Sequence, residues 1–204
     1  MSKLLKTGLV IVLVVYLISL IIMRTPATLA VGIINKAVPV LHVSGISGTA
    51  WQGAANAAVL KHPQLTMDVG ALTWQFQPMS LLTFKACVDV TNAKLSGTLC
   101  RSLGGKNILS SVQVELPASL ADGINRELAF AGSFSVNVVK GEVDDLGLVS
   151  VLEGNATWRQ ASVTTNGMSF SLGDFAADLV AAPEGAISAD IFDLSGPFGV
   201  KVNA

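Results

Sequence analysis

The sequence predicts a mainly β protein: one N-terminal transmembrane helix, a short amphipathic helix, then an antiparallel β-rich domain built as a curled sheet or a sandwich. Three observations predict it. An uncharged apolar run, Thr7–Met23, sits between Lys6 and Arg24. Beyond it, apolar and polar residues alternate with period two in stretch after stretch. Turn-forming residues interrupt these stretches every ten to fifteen positions. The expected division is a cytoplasmic tail at 1–6, an anchor at 7–23, a juxtamembrane linker and helix at 24–40, and a β-rich domain at 41–204.

The seventeen residues of the apolar run rise about 25 Å as a helix, at the short end for a bilayer core. Lys6 and Arg24 lengthen the effective span by carrying their charges outward. Lys3 and Lys6 place the short N-terminal side in the cytoplasm. A cleaved signal peptide is the competing reading, with Ala27-Thr28-Leu29-Ala30 as its cleavage site. The length of the apolar run, and Arg24 between it and that site, favour retention as an anchor. Either reading exports the rest of the chain.

Thr25-Pro26 reads as an N-cap followed by proline in the first helical position. Leu29, Ala30, Ile33, Ile34 and Ala37 share one helical face, giving a short helix from Pro26 to about Ala37. Its polar face offers only Lys36 to lipid headgroups, so packing on the β-domain is favoured over lying on the membrane.

In the domain, Leu65, Met67 and Val69 alternate with polar residues, as do Leu72, Trp74 and Phe76. Phe84, Ala86, Val88 and Val90 form the next set, followed by Val112, Val114 and Leu116 and by Phe130 to Val138. Near the end, Phe192, Leu194, Phe198 and Val200 are interrupted by Gly196-Pro197. Pro78–Leu82 and Pro117 to about Arg126 read as helical interruptions. Each strand thus has one apolar face. That face meets a second sheet in a closed core, or lies open as a gutter able to hold an acyl chain. Aromatic residues at period two favour the closed core. Gly70 to Trp74 and Gly154 to Trp158 resemble one another, and Trp51 also follows a glycine at short range, which suggests duplication of a sheet unit.

Cys87 and Cys100 are the only cysteines. An even count in an exported domain favours a disulfide. A tight turn at Ala93-Lys94 sets Cys87 directly opposite Cys100, on the face of Lys85, Asp89 and Thr98. Cross-strand Cα atoms lie about 4.5–5.5 Å apart, within bonding range.

No catalytic constellation is legible. His42 and His62 lack further ligands at metal spacing. There is no nucleophile elbow, phosphate loop or dinucleotide fingerprint. Asp144-Asp145 reads as a surface turn. Past Arg24, ten basic residues face fourteen acidic ones, with no basic run, so nucleic acid is not an expected partner. No catalytic, cofactor-binding or metal residue is expected, no cofactor, and no small-molecule substrate.

The run Leu41–Gly53 resembles the opening signature of type II secretion system protein N, carried by Gly45, Gly48, Thr49, Trp51 and Gly53. Leu72-Thr73-Trp74 with Pro78 and Leu81-Leu82, Leu116-Pro117, Gly154 to Trp158, and Asp193 to Gly196 resemble later segments of that family in the same order. The resemblance implies a single-pass inner-membrane subunit of the Gram-negative type II secretion machine, with a periplasmic domain and other secretion subunits as partners. It brings no catalytic residues. The chain ends sooner after Gly199 than the resemblance leads one to expect, and a missing last strand would expose a sheet edge. The cysteine pair is not a feature the resemblance supplies. The rival expectation is a membrane-anchored periplasmic β-sheet protein handling lipid, like AsmA-type or lipopolysaccharide-transport proteins.

Overall fold

A computed structural model of the 204-residue chain describes residues 9–10, 12–14, 16–17, 24–28, 31–32, 41–62, 65–123, 128–182, 185–195 and 201–203. Eleven strands form one antiparallel sheet in strict sequence order. They are β1 (Leu41–Gly48), β2 (Gln52–His62), β3 (Leu65–Gln77), β4 (Lys85–Thr91), β5 (Leu95–Ser102) and β6 (Asn107–Pro117). After them come β7 (Ala129–Val143), β8 (Val149–Thr165), β9 (Met168–Ala181), β10 (Ile187–Asp193) and β11 (Lys201–Asn203). Every expected strand run falls within a strand, with these exceptions: Phe84 caps the 3-10 turn ahead of β4, Leu194 follows β10, and Phe198 and Val200 lie outside the described residues. The last strand described, β11, pairs with β10 through Ile191 and Val202.

Two helical interruptions occur as 3-10 turns, Pro78–Thr83 and Ala118–Gly123. Each follows the end of a strand at a proline or one residue past it, where the chain loses a backbone donor for the ladder. The second stops at Gly123 in the described chain, short of the expected Arg126, which lies outside it.

The sheet is one layer, and this corrects the expectation of a closed core. Among the described residues no large side chain is fully buried. The buried positions are Ala27, Val31, Ala55, Ala58, Cys87, Ala118, Gly141 and Ala161, almost all small. The accessible surface is 13648 Å², against roughly 9,000 Å² for a compact chain of this mass. Period-two alternation demands only that one face of each strand be apolar. It does not demand a second sheet.

Ahead of the sheet, Leu9, Val10, Val12–Val14, Tyr16 and Leu17 are helical and exposed. Among the described residues no helix is long and apolar enough to cross a membrane. The rest of Thr7–Met23 lies outside them. At the junction, Pro26 forms a β-bridge with Thr49, and Ala50 N–H donates to the Thr25 carbonyl at 2.9 Å. Pro26 is therefore the last extended residue rather than the first helical one. Ala27-Thr28 and Val31-Gly32 are helical, and Ala27 and Val31 are buried, Val31 alongside Leu72 and Trp74 of the sheet. The face expected to be apolar, Leu29, Ala30, Ile33, Ile34 and Ala37, lies outside the described residues.

Candidate functional site: an open apolar face

Register aligns the apolar residues in rows across the strands. One row runs Phe76, Val88, Leu99, Leu109 across β3–β6. A second runs Leu95, Val114, Val136, Ala156, Ala177, Ile191 across β5–β10. A third runs Leu116, Phe134, Trp158, Phe175 across β6–β9. Each pairing is a direct cross-strand contact, the unit that stabilises a sheet.

On this face lies a trough of about 600 Å³ whose lining includes Val31, Leu72, Trp74, Val88, Val90 and Leu109. Arg101 and Asn107 are the polar side chains of its lining. Arg101 donates to Asn107 Oδ1 at 2.9 Å and pairs with Asp145 at 2.7 Å. A second hollow of about 340 Å³ surrounds Phe134, Trp158, Leu172 and Phe175. There Trp158 lies 5.2 Å from Phe134, 6.1 Å from Phe130 and 6.2 Å from Phe175 between ring centroids, and its indole N–H donates to the Ala131 carbonyl at 3.1 Å. Such tilted aromatic clusters add stability beyond their buried area.

The opposite face is polar, and its register is as regular. Ser96, Gln113, Asn137, Asn155, Asp178, Asp190 and Asn203 form one row from β5 to β11. Cys87 and Cys100 lie on this side, directly paired, with a disulfide between them and Cα atoms 4.0 Å apart. Asn92 N–H donates to the Leu95 carbonyl, and Asn92 Oδ1 accepts from the amides of Lys94 and Leu95, so the reversal at Ala93-Lys94 sets that register. Next to the bond, Asp89 accepts from Gln77 Nε2 at 2.7 and 2.8 Å and from Thr98 Oγ1 at 2.6 Å.

The signature residues of the first motif converge at one end of the sheet. Gly45 and Gly48 have φ of +65° and +90°, the region glycine tolerates and most residues avoid. Thr49 N–H donates to the Gln52 carbonyl at 2.8 Å, and Thr49 Oγ1 accepts from Gln52 N–H at 3.2 Å, which closes the β1–β2 turn. The Trp51 carbonyl accepts from Phe76 N–H at 2.6 Å, and the Trp51 and Phe76 rings meet edge to face at 5.0 Å. Gly53 pairs with Trp74. Trp158 belongs to the other aromatic cluster, and Gly196 lies outside the described residues. His42 is exposed on the edge strand β1. Asp144 Oδ1 accepts from the amides of Leu146 and Leu148, forming the expected turn.

The tryptophans do not owe their glycines to a shared local geometry. Gly70 has φ of +83° at a register shift opposite Ala58, with open space where a side chain would stand. Gly154 also lies beside a register shift, opposite Val138, but without positive φ, and the Asn137 carbonyl stands in the way of any Cβ. The sequence reading missed Arg101 as part of the apolar face. Its place is legible only through the pairing of Arg101 with Ala86 and Asn107.

Among the described residues no group of three His, Cys, Asp or Glu side chains is placed to hold a metal. The arrangement can cover or be covered by apolar material, and the trough has no paired acid and base in its lining.

These features define an open-faced antiparallel β-meander, single-layered and disulfide-bonded. Residues 39–204 match the family model of type II secretion system protein N, and the chain belongs to that family. It is thereby a type II secretion component of the cell envelope, and family membership implies that it works with other components of that system. No curated protein and no solved structure matches the chain.

Proposed function

We propose that this protein is a non-catalytic accessory subunit of the type II machine, which exports folded proteins across the outer membrane. It is held in the Gram-negative inner membrane by a single N-terminal helix, with its N-terminus cytoplasmic and residues 41–204 periplasmic. The observation that carries this reading is the family match over residues 39–204. The uncharged run Thr7–Met23 supports the anchor. One anchor confines the domain to a two-dimensional surface and raises its effective concentration near other membrane subunits. Deletion should impair export of folded exoproteins or lower the level of another inner-membrane platform subunit. Mild crosslinking of a C-terminally tagged chain should recover platform subunits. Normal secretion together with an intact platform in the deletion strain would remove this reading.

The uncovered apolar face favours a second reading, lipid handling, because a gutter lined by Leu72, Val88, Val90 and Leu109 suits an acyl chain. A photo-crosslinking residue in place of Leu99, which also lines the trough, separates the two in cells. Adducts with phospholipid or glycolipid would support lipid handling. Adducts with secretion subunits alone would assign the face to assembly.

A further inference from the structure

The antiparallel meander puts alternate connections at opposite ends of the sheet. One end carries the β1–β2 turn, the 3-10 turn Pro78–Thr83, the β5–β6 loop, the β7–β8 loop and the β9–β10 loop. The five most exposed large apolar side chains described all lie in three of these connections: Leu146 at 85%, Leu103 at 83%, Leu82 at 78%, Met79 at 76% and Phe84 at 72%. The other end carries the Asn92-Ala93-Lys94 and Asn166-Gly167 turns and the 3-10 turn Ala118–Gly123, and no large apolar residue described there exceeds the 60% of Met168.

The connections of the apolar end are joined side to side. Leu103 N–H donates to the Phe84 carbonyl at 3.2 Å, Arg101 bridges to Asp145, and a side chain at Gly185 would meet Leu148. Two ion pairs stand just behind the tips, Arg101 with Asp145 and Lys106 with Glu142 at 3.6 Å. Phe84 has φ of +57°, a conformation a bulky residue rarely adopts. Its amide bonds back to the turn while its ring stands in the open.

The anchor joins the sheet at this same end. The Thr25 carbonyl accepts from Ala50 N–H in the β1–β2 turn. The neighbouring Pro78–Thr83 turn leaves β3 two residues after Phe76, which bonds to Trp51. Arg24 bounds the apolar run, and consecutive Cα atoms are about 3.8 Å apart. A bilayer surface at Arg24 therefore lies within a few residues' reach of these loops.

We propose that the loop end of the sheet sits in the phospholipid headgroup and upper acyl region, with Met79, Leu82, Phe84, Leu103 and Leu146 inserted. The inference rests on the anchored reading given above. It fixes the sheet standing on the membrane with its polar turns pointing away. Interfacial insertion of apolar tips needs no ordered partner and gains from tethering.

The test uses the full chain with its native disulfide oxidised. Single cysteines replace Met79, Leu82, Leu103 or Leu146, with Lys94→Cys and Asn166→Cys as controls. Each carries an environment-sensitive fluorophore in vesicles of phosphatidylethanolamine and phosphatidylglycerol. Nitroxide-bearing lipid should quench the four loop labels at least about twofold and leave the controls unchanged. Aqueous iodide quenching the loop labels as strongly as the controls would overturn the inference. So would a blue shift without lipid quenching, which reports protein contact instead. Alkaline carbonate separates the two claims. Resistance to extraction with unquenched loops defeats this inference alone, and release of the chain defeats the anchored reading and this one together.

Discussion

Gly53 of β2 lies directly across from Trp74 of β3, beneath its indole. A methyl group there would collide with the ring and come within 2.7 Å of the Ser47 carbonyl oxygen. The last glycine of the first motif is thus a space into which the tryptophan of the second fits. Gly53→Ala should destabilise the domain by roughly 1–3 kcal/mol, the usual range for overpacking. Adding Trp74→Ala should relieve only part of this, because the Ser47 carbonyl remains. Urea unfolding followed by tryptophan fluorescence and circular dichroism measures both.

The Cys87–Cys100 bond closes a short hairpin. Replacing both cysteines by serine should cost roughly 2–3 kcal/mol without dissolving the sheet, since the Asn92 turn fixes the register independently. Alkylation of unreduced protein checks the bond itself. Two freely alkylated thiols would refute it.

Asp89 draws β3, β4 and β5 together through Gln77 and Thr98. Asp89→Ala leaves those partly buried polar groups without their acceptor and should cost about 1–3 kcal/mol. Thr98→Val, which keeps the shape and removes one donor, should cost less. Thermal unfolding of the two variants ranks them.

In the polar row, Asp178 and Asp190 stand directly opposite one another, both exposed. Like charges at that spacing oppose pairing. Asp190→Asn should stabilise the β9–β10 pair by a few tenths of a kcal/mol, and the gain should shrink as salt screens the repulsion. Melting temperatures at low and high ionic strength test this.

The strands with strict alternation, around Phe76, Val88 and Val136, were legible because each keeps one face apolar. The Cys87–Cys100 register followed from a single turn. β2 was not legible: Ala54, Ala55, Ala57 and Ala58 carry helix propensity rather than strand alternation, and a register shift at Ala58 breaks the period. β8 and β9 were obscured similarly. Gln160 has φ of +50° at an irregularity between Trp158 and Ala161, which moves later residues to the other face. Whether the apolar face is open was beyond reach of periodicity, because a covered strand and an uncovered one share the same alternation. Arg101 entered the trough by pairing, which no local pattern announces.

Every strand of the meander pairs with its neighbour in sequence and none described waits for a distant partner. The entropy of closing a long loop is therefore never required before a contact is made. As in linear repeat arrays, each hairpin can add to the one already formed. A chain delivered N-terminus first builds β1 on β2, then β3 on that pair, while later segments are still arriving. A truncation after β9 should leave a shorter sheet rather than an unfolded one. The order of synthesis and the order of assembly coincide.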